Sequence, residues 1–89
     1  MKPNELETAL DAVPDWNIEG DEIMRTYECG SFSEAVALVV KVAELAEAQN
    51  HHPHIAVDYR KVTLRLTTHS EGGLTEKDFA LAVDCDRLV

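Results

Sequence analysis

Every histidine of this chain falls between Glu47 and Asp78. His51, His52 and His54 crowd around Pro53, and His69 follows a strand-like run. Imidazoles exchange protons near neutral pH, and a neighbouring carboxylate fixes which ring nitrogen carries the hydrogen. The set suits a proton shuffle on a polar small molecule, such as a dehydration or a tautomerisation. Zinc is a competing chemistry, because His-rich tracts bind it. Adjacent histidines usually point apart, however, and no zinc signature is present, so no metal is expected. Each histidine alone reads as a turn or surface residue, Glu47 as a solvated helix residue and Asp78 as a helix cap. The argument for a site is that all of them are expected at one corner. No GxSxG elbow and no Gly-rich phosphate loop support a covalent or nucleotide-dependent mechanism.

The elements around this stretch predict that corner. Ser31-Phe32-Ser33-Glu34 is a candidate capping box, opening a helix from Phe32 to about Asn50. Phe32, Val36, Val39, Val40, Ala43 and Ala46 or Glu47 trace one face, and Leu38, Val42 and Leu45 lie off it. So wide an apolar arc predicts a helix covered on two sides, by a sheet and by another subunit. Pro53 stops the helix, which leaves His52 extended and Asn50 as a left-handed cap. If the helix reaches His51, Glu47 lies one turn below it and within bonding reach of its ring.

Ile55–Tyr59 and Val62–Thr67 alternate as strands, joined tightly at Arg60-Lys61 or a register near it. If Tyr59 pairs with Val62, His69 falls opposite His52. A slip of two residues puts it opposite Asn50. Either register returns His69 to the His51-His52-Pro53 corner. Ser70–Gly73 is a loop. Thr75 and Asp78 then form a second capping box, opening a closing helix with Phe79, Ala82 and Val83.

Upstream, Leu6, Ala9, Leu10 and Val13 mark a short helix ended by Pro14. Two short strands flank Gly20-Asp21, and Trp16 reads as a core anchor. The order α-β-β-α-β-β-α predicts an α+β fold with an antiparallel sheet and its helices on one face. Residues 1–89 read as a single domain.

Composition narrows the function. A formal charge of −9, with only eight Lys and Arg in all, disfavours direct nucleic acid contact and anionic membrane surfaces. Met1–Glu5 lacks an apolar leader, and no run is apolar enough to span a membrane. Cys29 and Cys85 lie far apart without a CxxC motif, which suits free thiols in a reducing cytoplasm.

The pattern Glu47-x3-His51-His52-Pro53-x5-Tyr59-x9-His69-x8-Asp78 resembles the signature of the pterin-4a-carbinolamine dehydratases. Trp16-x-x-x-Gly20 and Gly73-Leu74-Thr75-Glu76-Lys77-Asp78 fall in the family's order, so the resemblance covers essentially the whole chain. It implies four antiparallel strands with three helices on one side, assembled as dimers or tetramers. It also implies dehydration of 4a-hydroxytetrahydrobiopterin, or a related 4a-hydroxytetrahydropterin, to a quinonoid dihydropterin. That step recycles the cofactor of aromatic amino-acid hydroxylases, with no metal or bound cofactor. Carried over by position, His51, His52 and His69 are the catalytic candidates. Glu47, Pro53 and Asp78 would orient them or contact the pterin. The chain departs from many relatives at Ile55, where an aromatic residue is common. Animal members also serve as dimerisation cofactors for a homeodomain transcription factor, and others are linked to molybdopterin. A pterin-binding or dimerisation module without turnover is therefore the alternative.

Overall fold

The computed structural model describes residues 1–89. Its elements are α1 (Pro3–Asp11), β1 (Asn17–Glu19), β2 (Glu22–Glu28), α2 (Phe32–Gln49), β3 (His54–Asp58), β4 (Lys61–Leu66) and α3 (Glu76–Asp86), with a short 3-10 turn at His69–Glu71. The strands form one antiparallel sheet in the order β1-β2-β4-β3. This is the expected three-helix, four-strand α+β arrangement.

The core forms between the sheet and its helices. Ile23 and Tyr27 from β2 and Val62, Leu64 and Leu66 from β4 are buried, while the alternate residues Thr26 and Thr63 face outward and bond each other. Period-two alternation has put one face of the sheet in the core and the other in water. Trp16 is buried as the sequence suggests, edge-on to Tyr27, with their ring centroids 6.4 Å apart.

Of the wide apolar arc of α2, one stripe is buried and the other is left open. Ala35, Leu38, Val42 and Ala46 enter the core, whereas Phe32, Val36 and Val40 remain exposed. The two stripes lie about a third of a turn apart round the helix. Alanines at either end of the buried stripe let the helix lie close to the sheet, which periodicity alone did not weigh. Ser31 caps the helix by accepting from the Glu34 N–H, but Glu34 reaches back to Gly30 N–H rather than to Ser31.

The β3–β4 hairpin takes the register slipped by two: Ile55 pairs with Leu64 and Asp58 with Lys61. Tyr59-Arg60 is therefore the turn, and Tyr59 adopts a left-handed φ of 54°. Strand β3 lies at the sheet edge, so Val57 and Tyr59 are exposed although Val57 shares the core-facing side of Val62. Ile55, the position of departure from many relatives, is half-buried against the core.

Helix α3 is anchored at its far end by one carboxylate. Asp86 accepts from the Trp16 indole N–H (2.9 Å), the Arg25 guanidinium (2.7 Å) and the Tyr27 hydroxyl (2.5 Å). Burial pushes the Tyr27 hydroxyl well above the ordinary tyrosine range, with the Asp86 hydrogen bond adding to it. Tyr27 therefore stays protonated and remains a donor. No helix is long and apolar enough to cross a membrane.

Candidate active site

The corner begins with the way α2 ends. Asn50 takes left-handed angles (φ 48°, ψ 44°), as its type allows. Its N–H donates to Glu47 O, and the His51 N–H reaches back to Ala46 O. These are the two bonds of a Schellman motif. The motif turns the chain sharply off the helix axis and settles where the next two side chains go.

His51 swings toward the N-terminus of α3. Its Nε2 lies 2.5 Å from Asp78 Oδ1, with the His51 side chain 11% exposed and Asp78 wholly buried. His52 folds back over the last turn of α2, its Nε2 2.5 Å from Glu47 Oε2, and that pair is largely exposed. The expected partner of Glu47 was His51, one helical turn above it. The left-handed Asn50 breaks that spacing, so the bond goes to His52 instead.

A carboxylate oxygen accepts, so in each pair Nε2 carries the hydrogen, and in a neutral ring Nδ1 is left as an open acceptor. The same bond has different weight in the two pairs. Water screens the exposed one, whereas the buried one works in a lower dielectric.

Asp78 is held from two directions. As third residue of α3 its Oδ2 accepts the Thr75 N–H (3.0 Å), completing the expected capping box. The same oxygen accepts the Thr68 hydroxyl (2.9 Å). Thr68 was missed in reading the sequence. Val62, Leu64 and Leu66 all point inward, so two-residue alternation places Thr68 inward as well. A polar side chain at an inward position needs a partner, and that was the available signal.

His69 does not sit across a ladder from β3, because β4 ends at Leu66. Thr68 and Gly73 exchange backbone bonds, closing a small loop in which His69 opens the 3-10 turn. His69 follows directly on the residue that bonds Asp78. It is exposed, and its ring makes no hydrogen bond within the chain. Pro53 is half-buried beside the pairs, and His54 is exposed at the start of β3, opposite Arg65. No three His, Cys, Asp or Glu side chains converge as a metal-ligand group.

The larger hollow of the chain lies elsewhere. A cleft of about 430 Å³ is lined by Arg25, Cys29, Glu34, Lys41 and Leu88, on the N-terminal half of α2. The histidines line none of the hollows on this chain, so the corner is a shallow surface in one copy.

Fold and corner together describe a small α+β protein with two imidazole–carboxylate pairs at the end of its main helix. Residues 1–88 match the family model for pterin 4 alpha carbinolamine dehydratase. A Chloroflexus aurantiacus protein, provisionally named as that dehydratase, is 51% identical over 96% of this chain and 91% of its own length. A Nocardia farcinica protein with the same provisional name is 49% identical over 99% and 93%. The chain belongs to the pterin-4a-carbinolamine dehydratase family. A crystal structure from Brucella melitensis, named a transcriptional coactivator/pterin dehydratase, superposes with a TM-score of 0.93 at 32% identity, covering 99% of this chain and 96% of that one. A pterin dehydratase-like protein described as a RuBisCO assembly factor shares the fold at a TM-score of 0.67 and 23% identity, over 82% and 84% of the two chains.

Proposed function

We propose that this chain removes water from 4a-hydroxytetrahydrobiopterin, or a related 4a-hydroxytetrahydropterin, without a metal or bound cofactor. The observation that carries the reading is the His51–Asp78 pair, in which a buried carboxylate fixes an imidazole with one nitrogen free. In the elimination the C4a–O bond breaks, and a proton delivered to the departing oxygen makes water. The N5 hydrogen passes to a base, and its electron pair forms the N5=C4a bond of the quinonoid dihydropterin. His51, with Nδ1 open, acts as the base. His52 and His69, both exposed, supply the proton and bind the pterin. Glu47 orients His52, Asp78 orients His51, and Pro53 borders the ring.

In this reading the protein is cytoplasmic and recycles the pterin of an aromatic amino-acid hydroxylase. The exposed Phe32–Val36–Val40 stripe favours assembly as a homodimer or homotetramer. That stripe also supports the second reading, a pterin- or molybdopterin-binding or dimerisation module without turnover. The net charge of −9 weighs against direct nucleic acid contact in either case.

The deciding experiment follows quinonoid dihydropterin formation from enzymatically generated 4a-hydroxytetrahydrobiopterin. Wild type should accelerate it, and His51→Ala, His52→Ala and His69→Ala should each lose about 10²- to 10⁴-fold while remaining folded. No acceleration by folded wild type sinks the dehydratase and leaves the binding module.

A further inference from the structure

We propose that Thr68 is a positioning residue, whose hydroxyl locks the Asp78 carboxylate in the orientation that holds His51. The terminal torsion of an aspartate is broad, so the chain itself does not set the carboxylate plane. Hydrogen bonds must set it. Oδ1 faces His51, and the Oδ2 end is held by the Thr75 N–H and the Thr68 hydroxyl. Thr68 is 4% exposed, and its hydroxyl also lies 2.9 Å from the Thr75 hydroxyl. Because Thr68 spends its hydrogen on Asp78, Thr75 is the donor between the two threonines. The Lys77 N–H in turn donates to the Thr75 oxygen (3.3 Å). Every bond in this row, Lys77 to Thr75 to Thr68 to Asp78, points its hydrogen toward the carboxylate. Such a one-way row polarises each member and stiffens its end.

The row joins three elements. Thr68 follows β4, Thr75 and Asp78 open α3, and His51 follows α2. The Thr68–Gly73 backbone bonds fix the loop that carries Thr68. Without the Thr68 hydroxyl, only the Thr75 N–H would restrain Oδ2, and the carboxylate could turn away from His51 Nε2. The ring would then exchange between its two tautomers. Thr68 contributes no group to the reacting atoms; it acts through Asp78 and His51.

The kinetic half of the test rests on the dehydratase reading, and the spectroscopic half does not. Ring-nitrogen NMR of ¹⁵N-labelled protein reports the His51 tautomer, and the turnover assay reports kcat and KM. Wild type should show His51 as the Nε2–H tautomer. Thr68→Val should mix the tautomers and lower kcat by about 10- to 100-fold, with KM changed by less than about two-fold. Thr68→Ser, which keeps the hydroxyl, should restore both. If the valine variant does not fold, Thr68→Cys, a weak donor of similar size, makes the same comparison. A folded Thr68→Val with the wild-type tautomer and kcat overturns the proposal. Folded wild type without turnover, together with a His51 tautomer shift in Thr68→Val, overturns the dehydratase and keeps the hydrogen-bond row.

Discussion

Two imidazole–carboxylate pairs stand at the end of α2, yet burial separates their roles. Asp78 is wholly buried and Glu47 is mostly exposed, so near-identical 2.5 Å bonds have unequal consequences. The Glu47–His52 pair belongs with surface ion pairs, worth about 0–1 kcal/mol. Asp78 carries three partners, and its loss would take the acceptor from the Thr75 N–H and leave the Thr68 hydroxyl with Thr75 alone. Away from the corner, burial also dictates how Cys85 behaves. It is wholly buried in α3, and burial pushes its thiol up from 9.0 to about 12, with Asp86 and Asp84 adding to the effect. An unfolded chain ionises this thiol near pH 9, while the folded chain keeps it neutral until about pH 12. The stabilisation is therefore complete below pH 9 and is lost as pH rises through that window, by at most about 1.4 kcal/mol per pH unit. Urea midpoints measured between pH 8 and pH 10.5 should fall, and Cys85→Ala should flatten the decline. An identical slope in the variant would remove Cys85 from the account.

At the scale of elements, the end of α2 sets the geometry of the whole corner. Asn50 is followed at once by both paired histidines, so its left-handed angles determine where each ring goes. Asn50→Gly should keep the turn and leave stability within about 0.5 kcal/mol of wild type. Asn50→Val, which resists a positive φ, should lose about 1–3 kcal/mol in chemical denaturation. It should also lower turnover beyond any fall in folded protein, because His51 and His52 would lose their settings. A valine variant with unchanged stability and turnover would contradict the Schellman account. Helix α3 complements this end. Its first turn brings Asp78 to the corner, and at its last turn Asp86 is tied to Trp16, just before β1, and to Arg25 and Tyr27 of β2. The Asp86 anchor therefore resists tilting that would move Asp78.

For the whole molecule, apolar surface and charge point to a partner. Phe32, Val36 and Val40 are 54%, 43% and 53% exposed in a row along α2, and Val57 on edge strand β3 and Tyr59 in the turn after it are open as well. A chain of this length has a modest core, so a second copy would add burial that one copy lacks. The excess negative charge opposes indiscriminate association, so the proposed self-association is tested at the apolar stripe. Light scattering should give a mass of two or four 9.9 kDa chains for wild type, and Val36→Asp with Val40→Asp should lower it. A wild-type monomer at tens of micromolar would remove the stripe from service as a self-association face.

Local rules were enough to read much of this protein. Helix caps at Ser31 and Thr75, the left-handed Asn50 and the stop at Pro53 each follow from what one side chain does to its own backbone. Alternation likewise marked the strands and showed that one face of the hairpin is buried and the other wet. The resemblance of the His-His-Pro pattern to its family was legible without coordinates because it resides in spacing. Choices between equivalent local solutions were not legible. Both apolar stripes of α2 satisfied the helical period, and only packing against the sheet buried Ala35, Leu38, Val42 and Ala46. Either hairpin register satisfied the alternation, and the turn at Tyr59 selected one. Glu47 had two histidines in range, and the turn at Asn50 chose His52. Asp78 met His51, and Thr68 met Asp78, across gaps in the chain that no local rule spans. Those pairings were decided by the tertiary structure, because a buried carboxylate takes whichever donors the packed elements bring within reach.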